Sequence, residues 1–401
     1  MMRVGFLLNF PVEYKGGINY LRNLFYALNK YRKNEVQLFL FVPSDLNEEY
    51  VSLFKEYATL IKTDILKRGT VLWFISRVTE IFLNFDPLTY LLLTKHKMQV
   101  ISHSNYVFPG KGISSVNWIP DFQYLHYPHL WTKKQLNNEF KLLRKWVEKS
   151  KRIVVSSKDA YKDLISVHPG AEEKIKVLHF VSQPHTTQSS AVMADKYGGG
   201  RFYYVPNQFW EHKNHLTVFK ALKLLKDKGI QIRLLTSGLM SDYRNKDQHV
   251  EKLLNYVKQN DLDSQVEFLG LIPYSDVIGL MRQAVAVINP SLFEGWSSTV
   301  EESKSMGKTI ILSDIPVHRE QAPERGYYFN PHSERELARL MEELWINPNS
   351  SSITPGEEEL LNELNKRTEK FASEFTAILG EAINEKGNSR AGKSKNRVLL
   401  R

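Results

Sequence analysis

A chain of 401 residues has length for two domains at roughly 150 residues each, and 42% hydrophobic with 24% charged residues suits folded cores and excludes a disordered chain. No cysteine occurs, which excludes disulfides and thiolate metal sites and accords with a reducing, cytoplasmic setting. The net charge of +10 lies in one half: residues 1–190 hold 26 Lys and Arg against 16 Asp and Glu, whereas the remainder holds 28 of each, so the first half suits an anionic partner or surface.

The first predicted element is a strand, "RVGFLLNF" (3–10), reached with no basic-then-apolar leader before it. A loop carrying Gly16 and Gly17 comes next, then an amphipathic helix whose buried face is marked by Ile18, Leu21, Phe25 and Leu28. "VQLFLFV" (36–42) is the next strand. "TVLWFISRVTEIFLNF" (70–85) is broken by Arg77 and Glu80 and falls short of the roughly 18 apolar residues a membrane span needs. Its residues Leu72, Ile75, Val78, Phe82 and Phe85 recur at helical spacing, which predicts a buried amphipathic helix, with a membrane-surface helix as the alternative. Strands are predicted at 99–104 and 152–157, flanking a strongly basic helix, "TKKQLNNEFKLLRKWVEKSKR" (132–152), with eight Lys and Arg against two Glu.

The polar stretch 182–200 ends in three glycines and has the composition of a hinge. Beyond it the opening pattern repeats: "RFYYVPNQ" (201–208) runs into "FWEHKNHLTVFKALKLLKDKG", with Leu216, Phe219 and Leu222 on the buried face. Strands at 232–238, 265–270, 285–291 and 309–314 alternate with helical patterns, the signature of a parallel sheet covered on both faces. The reading is therefore two α/β domains, 1–190 and 191–383, facing a central cleft. The second includes a closing helix over 354–383, and a basic tail over 384–401 is expected to be disordered. In such sheets ligands sit at the carboxyl ends of the strands.

One such end is "SLFEGWSSTVEESKSMG" (291–307). Ser298 with Glu301 forms a capping box, so a helix is expected to begin near Thr299 and Glu301 to have a capping role. Glu294 precedes that helix and Glu302 lies one turn inside it. A helix start holds a phosphate through free N–H groups and the macrodipole, and carboxylates accept hydrogen bonds from paired hydroxyls, as in dinucleotide sites. A nucleotide sugar carries both: a diphosphate flanked by two polyols.

Glu294 and Glu302, separated by seven residues, resemble the E-x7-E signature of retaining GT-B glycosyltransferases of family four, with Trp296, Ser297 and Ser303 standing where the usual pattern has Phe, Gly and Ala. The resemblance extends from Gly16 to about Pro331 and is strongest over 201–331. It implies a GT-B fold of two Rossmann-like domains, the first on the acceptor side and the second on the donor side. It also implies that Glu302 binds ribose hydroxyls, that Glu294 binds a hydroxyl of the transferred sugar, and that N–H groups of Ser297, Ser298 and Thr299 after Gly295 hold the diphosphate. Leu271 and Ile272 would flank the nucleobase, and Gly16 and Gly17 would approach the diphosphate. In "PNQFWEHKNH" (206–215) Lys213 fits the family's diphosphate-binding Lys, while Gln208 stands where an Arg is usual. In "WIPDFQYLHYPHLW" (118–131) Asp121 and Pro128 fit an acceptor-side segment, but Pro120 replaces its His. His126 and His103 are the candidate substitutes, each weighed against a structural role.

The resulting expectation is a glycosyltransferase with Glu294, Lys213, Asp121 and His126 as catalytic candidates. Its substrates would be a nucleoside-diphosphate sugar and a glycan or lipid-linked acceptor, in cell-surface polysaccharide or glycoconjugate synthesis. No Asp and His cluster has metal-ligand spacing, so neither metal nor other cofactor is expected. Asp261 and Asp263 read as turn residues. Peripheral contact with an anionic membrane through the 132–152 helix is a further expectation, and no nucleic-acid partner is expected. The alternative is a catalytically degenerate GT-B protein that holds a nucleotide or sugar without chemistry.

Overall fold

The computed structural model describes residues 1–8, 15–83, 85–108, 110, 112–184, 190–241, 248–347 and 356–385. Val, Ile, Leu and Phe runs form β1 (Met2–Leu7), β2 (Val36–Pro43), β3 (Thr59–Thr63), β4 (Val100–Ser102), β5 (Ser114–Ile119), β6 (Arg152–Val155) and β7 (Ile175–Val177). These seven strands pair in the order β3-β2-β1-β4-β5-β6-β7. A second sheet contains β8 (Tyr203–Val205), β9 (Leu234–Thr236), β10 (Val266–Phe268), β11 (Val287–Asn289), β12 (Ile310–Ser313) and β13 (Gly326–Phe329), in the order β10-β9-β8-β11-β12-β13. Every pairing is parallel. Helices cover both faces, which explains why whole strands are apolar without alternation.

Both sheets are wound alike. The chain steps outward from the first strand, then returns to the other side of it, so β1 lies between β2 and β4 and β8 lies between β9 and β11. The reversal opens a crevice at the carboxyl ends of β8 and β11. This is the Rossmann-like α/β architecture expected, in two copies.

Three expectations need correction. The closing helix, Glu357–Asn384, is expected with the second half, but its stripe of Phe371, Phe375, Ile378 and Leu379 is buried in one core with Val4, Phe6, Ile18, Leu21 and Phe25. That face of the first sheet is shared between this helix and Lys15–Tyr31, and Ser114 Oγ donates to the Ala382 carbonyl at 2.7 Å. The expected hinge contains a helix, Ser190–Tyr197, whose Met193 is buried against Gly279; residues 185–189 of that stretch lie outside the described residues. The helix Val71–Leu83 forms as the spacing predicts, but it is not buried on its apolar side: Ser76 is its one buried residue.

The basic helix spans Lys133–Lys149 and begins with a capping box of Thr132 and Gln135. Asp261 adopts a left-handed φ of 51° in a turn. Of the expected tail, residues 386–401 lie outside the described residues. If the closing helix belongs to the first core, Phe375→Ala removes a fully buried ring from it. The expected cost is about 3–5 kcal/mol, read as a lowered thermal or urea midpoint.

Candidate active site

The site is built where β8 and β11 end side by side. Asn207, just past β8, donates to the Asn289 side chain at 3.2 Å, and Asn289 Nδ2 donates to Ser297 Oγ at 2.7 Å. Ser291 Oγ lies 2.8 Å from Asn289 Oδ1 and 2.7 Å from Glu294 Oε1. These buried amides and hydroxyls tie the loop after β11 to both strands. Ser297 Oγ also accepts the Val300 N–H, so Ser297 is the N-cap and the helix is Ser298–Ser305.

The cap is thus one residue earlier than the capping box implied. Two adjacent serines offer alternative caps, and Asn289 selects the first by fixing its hydroxyl. Gln321, also buried, accepts the Ser297 N–H at 3.1 Å and donates to the Ser297 carbonyl at 2.9 Å. The Ser297 N–H expected at a diphosphate is therefore used within the protein. Ser298 and Thr299 occupy the first helical positions, whose N–H groups lie outside the intrahelical ladder at the positive end of the dipole.

Lys213 ends a short turn, Glu211–Lys213, and its position is fixed by the next residue. Asn214 has a left-handed φ of 57°, and its amide donates to the carbonyls of Pro290 (3.1 Å) and Pro331 (2.9 Å). The Leu292 N–H donates to the His212 carbonyl at 2.8 Å. The two loops are so joined that Lys213 Nζ donates to Glu294 Oε1 at 2.6 Å, both side chains being largely enclosed. Burial alone would raise the Glu294 pKa, but the Lys213 charge and its hydrogen bond, with His318 nearby, hold it below the ordinary glutamate value.

His318 shares this pocket. Its Nδ1 is 2.8 Å from the Ser313 carbonyl, its Nε2 is buried without a protein partner, and burial lowers its pKa. Nothing in "DIPVHRE" singles out His318, because its neighbours are distant in sequence. Asn207 and Asn289 have a legible signal: each is an amide at the carboxyl end of an apolar strand, Asn289 closing β11 and Asn207 two residues past β8.

Of the two residues expected to flank a nucleobase, Leu271 is exposed and Ile272 is half-buried, packed against the core between sheet and helices. The Gly238 N–H donates to the Gly270 carbonyl at 2.9 Å. Gln208, in the expected arginine position, turns its Oε1 to the Leu239 N–H at 2.6 Å. Glu302 is buried and accepts from the Tyr274 hydroxyl at 2.8 Å; burial pushes its pKa up to about 7. Glu301 is no cap. Its carboxylate pairs with Arg367 of the closing helix at 2.8 Å and accepts from Gln321 at 3.2 Å.

The acceptor-side segment meets this loop directly. Gly295 lies so close to Pro120 that an added Cβ would overlap the Pro120 carbonyl oxygen, and it would meet Asp121 Cβ at 2.7 Å. The Asp121 carboxylate accepts the Gln123 N–H at 2.9 Å. Pro128 is exposed at the start of a short turn, Pro128–Leu130. His126 packs against Phe293 with ring centroids 4.8 Å apart and the rings tilted by 36°, while its Nε2 lies 2.9 Å from Asp163, whose hydrogen bond raises the imidazole pKa. His103 is a core histidine, held between the Tyr20 hydroxyl and Ser102 Oγ at 2.8 Å each, and burial pushes its pKa down to about 3.

Gly16 and Gly17 were expected in a loop but lie in the first turn of the helix Lys15–Tyr31; the connection 9–14 lies outside the described residues. Trp296 stacks on His179 with centroids 4.4 Å apart and donates to the Phe180 carbonyl at 3.2 Å, a second link between the halves. Among the described residues, no three His, Asp or Glu side chains form a candidate metal-ligand set.

Comparison with known proteins bears on the second half. Residues 193–370, which include the crevice, match the family described as Glycosyl transferases group 1. They form a group 1 glycosyl transferase domain. The O-antigen chain mannosyltransferase RfbU of Salmonella typhimurium is 23% identical to this chain over 218 residues, covering 54% of it and 57% of RfbU, so the match spans little more than half of that relative. A glycosyltransferase structure from Rickettsia africae matches with a TM-score of 0.65 and 13% identity, over 96% of this chain and 99% of that one. The structure of Anabaena HepE in complex with UDP and glucose matches with a TM-score of 0.62 and 15% identity, over 96% of each chain. The fold is GT-B, as the resemblance implied.

Two substitutions separate the neighbouring glutamates of this domain. Glu301→Ala leaves Arg367 without its buried partner and is expected to cost roughly 3 kcal/mol or more, well above the ~1 kcal/mol of a lost cap. Denaturant midpoints measure the difference. Glu302 has a raised folded-state pKa, so the folded protein retains a proton that the unfolded chain loses between the ordinary 4.5 and about 7. Stability from this group is therefore present at acid pH and lost as pH rises through that window. Glu302→Gln removes the titration: relative to wild type it gains ~1.4 kcal/mol per pH unit across the window, levelling off above it, in denaturation of the ligand-free protein.

Proposed function

We propose that the chain transfers a sugar from a nucleoside diphosphate to a hydroxyl of a glycan or lipid-linked acceptor, with retention of anomeric configuration, in synthesis of a cell-surface polysaccharide or glycoconjugate. The observation that carries the proposal is the buried ion pair of Lys213 and Glu294 beside the start of the Ser298–Ser305 helix. Cation, carboxylate and helix start are the groups that a sugar diphosphate requires within one short span. The family of the donor-side domain and the O-antigen mannosyltransferase relative support the reaction class. The UDP and glucose in the HepE structure support the donor class.

In transfer, the bond from the anomeric carbon to the diphosphate oxygen breaks with its electron pair going to the diphosphate. A bond from that carbon to the acceptor oxygen forms, and the acceptor hydroxyl passes its proton to the departing diphosphate oxygen. Lys213 and the N–H groups of Ser298 and Thr299 stabilise the growing charge on the leaving group as fixed charges and dipoles that need no reorganisation. Glu294 holds Lys213 in place and accepts from a hydroxyl of the transferred sugar, and Glu302 accepts from the ribose. Leu271 and Ile272 flank the base. Asp121, brought to the loop by the contact of Pro120 with Gly295, faces the acceptor side, with His126 beyond it. Neither metal nor cofactor takes part, and nucleic acid is not a partner.

The specific observation behind the alternative reading, a nucleotide-sugar holder, is that Pro120 occupies the position of the usual histidine and Gln208 is turned to Leu239. A thermal-shift screen with UDP, GDP and ADP and their sugars identifies the donor, which stabilises by about 2.7 kcal/mol at a hundred times its Kd. With that donor, Lys213→Ala and Glu294→Gln are each expected to lower kcat/KM about a hundredfold or more. The double variant should lose much less than the product of the two, because the residues act as one unit. Transfer should persist in EDTA. Donor binding with no turnover of any nucleotide sugar would replace transfer by the holding function.

A further inference from the structure

The helix Val71–Leu83 turns its polar side into the protein and its apolar side outward. Ser76 donates to Asp86 at 2.6 Å, Arg77 reaches the Tyr106 hydroxyl at 2.8 Å, and Glu80 accepts from Arg77 at 2.7 Å and from Lys145 at 3.0 Å. On the other side Val71, Phe74, Ile75, Ile81 and Phe82 are exposed, Phe74 by 63% and Phe82 by 80%. Their spacing places them on one continuous stripe, and Leu91 of the next helix, Pro87–Lys95, is exposed as well. A soluble monomer rarely leaves so large an apolar patch uncovered.

We propose that this face docks on an anionic lipid bilayer, its aromatic and aliphatic side chains entering the boundary between headgroups and acyl chains. What selects the occupant is the charge beside it. The Lys145 contact with Glu80 fixes the basic helix Lys133–Lys149 against the apolar one. Lys134 and Lys141 precede Lys145 by eleven and four residues, on the same helical stripe, and both are exposed, as are Arg144 and, just before the apolar helix, Arg68.

Apolar insertion flanked by Lys and Arg is the chemistry of interfacial binding to anionic lipid. A second copy of the chain fits less well, because a two-fold interface through this face would bring its own basic helices towards each other. Among the described residues no helix is long and apolar enough to cross a membrane, so the contact lies in the interface plane. The surface uses none of the donor-site residues and stands independently of the transfer reaction.

The test uses the purified full chain without donor or acceptor, so that its outcome is separate from any result on transfer. The probes are phosphatidylcholine vesicles with and without phosphatidylglycerol. The wild type should co-sediment with the anionic vesicles at low salt and be released as salt rises. Phe74→Ser combined with Phe82→Ser should lower partitioning about tenfold or more while leaving the thermal midpoint unchanged, because both rings are exposed. Lys141→Glu with Arg144→Glu should abolish the preference for phosphatidylglycerol; Lys145 is left intact because its reversal would also break the pair with Glu80. Vesicle binding by the double serine variant equal to wild type overturns the proposal. So does a wild type that ignores both vesicles and runs as a dimer that the double serine variant converts to monomer, which would make the face a self-association surface.

Discussion

A carboxylate enclosed in an α/β crevice stays ionised only with a cation against it, and the donor half is arranged around that requirement. Glu294 has Lys213 at 2.6 Å. The left-handed Asn214, the carbonyls of Pro290 and Pro331 and the link from Leu292 to His212 all serve to keep the two loops in register. The amides of Asn207 and Asn289 carry that register into the strands, and Ser297 carries it into the helix. A shift of any one member would leave a buried charge or a buried amide without its partner, so the network is stable only when complete.

Neighbouring glutamates in the same helix show how environment divides roles. Glu301 pairs with Arg367 of the closing helix and accepts from Gln321, whereas Glu302, also buried, accepts from the Tyr274 hydroxyl. Burial therefore raises the pKa of Glu302, while Glu294, with a full cation beside it, moves the other way.

Much of this was legible before any coordinates. The strand runs and the repeated strand-loop-helix opening specify two parallel sheets, and the family resemblance at Glu294, Glu302 and Lys213 points to one crevice. Other features were not, for identifiable reasons. Periodicity reveals that Val71–Leu83 has an apolar face but not which way it looks, because the inward contacts of Arg77 and Glu80 involve Tyr106 and Lys145, far along the chain. Ser297 and Ser298 are equally good caps locally, and Asn289 decides between them. Polar composition around residue 190 suggested a hinge, yet one buried methionine packing on Gly279 suffices to order a helix there. The closing helix carries an apolar stripe that would fit either core.

The return of that last helix to the first core has a mechanical meaning. The polypeptide passes between the halves twice, once between β7 and β8 and again along Glu357–Asn384, whose Arg367 pairs with Glu301 of the second half while Phe371 and Phe375 lie in the first core. A single backbone cut in either crossing would leave the halves attached through the other. The group 1 match ends at residue 370, inside this helix and one residue short of Phe371. A fragment cut at that point would carry Arg367 with the donor half and leave the first sheet without the phenylalanines that cover it. The homologous unit and the folding unit therefore have different boundaries in this chain.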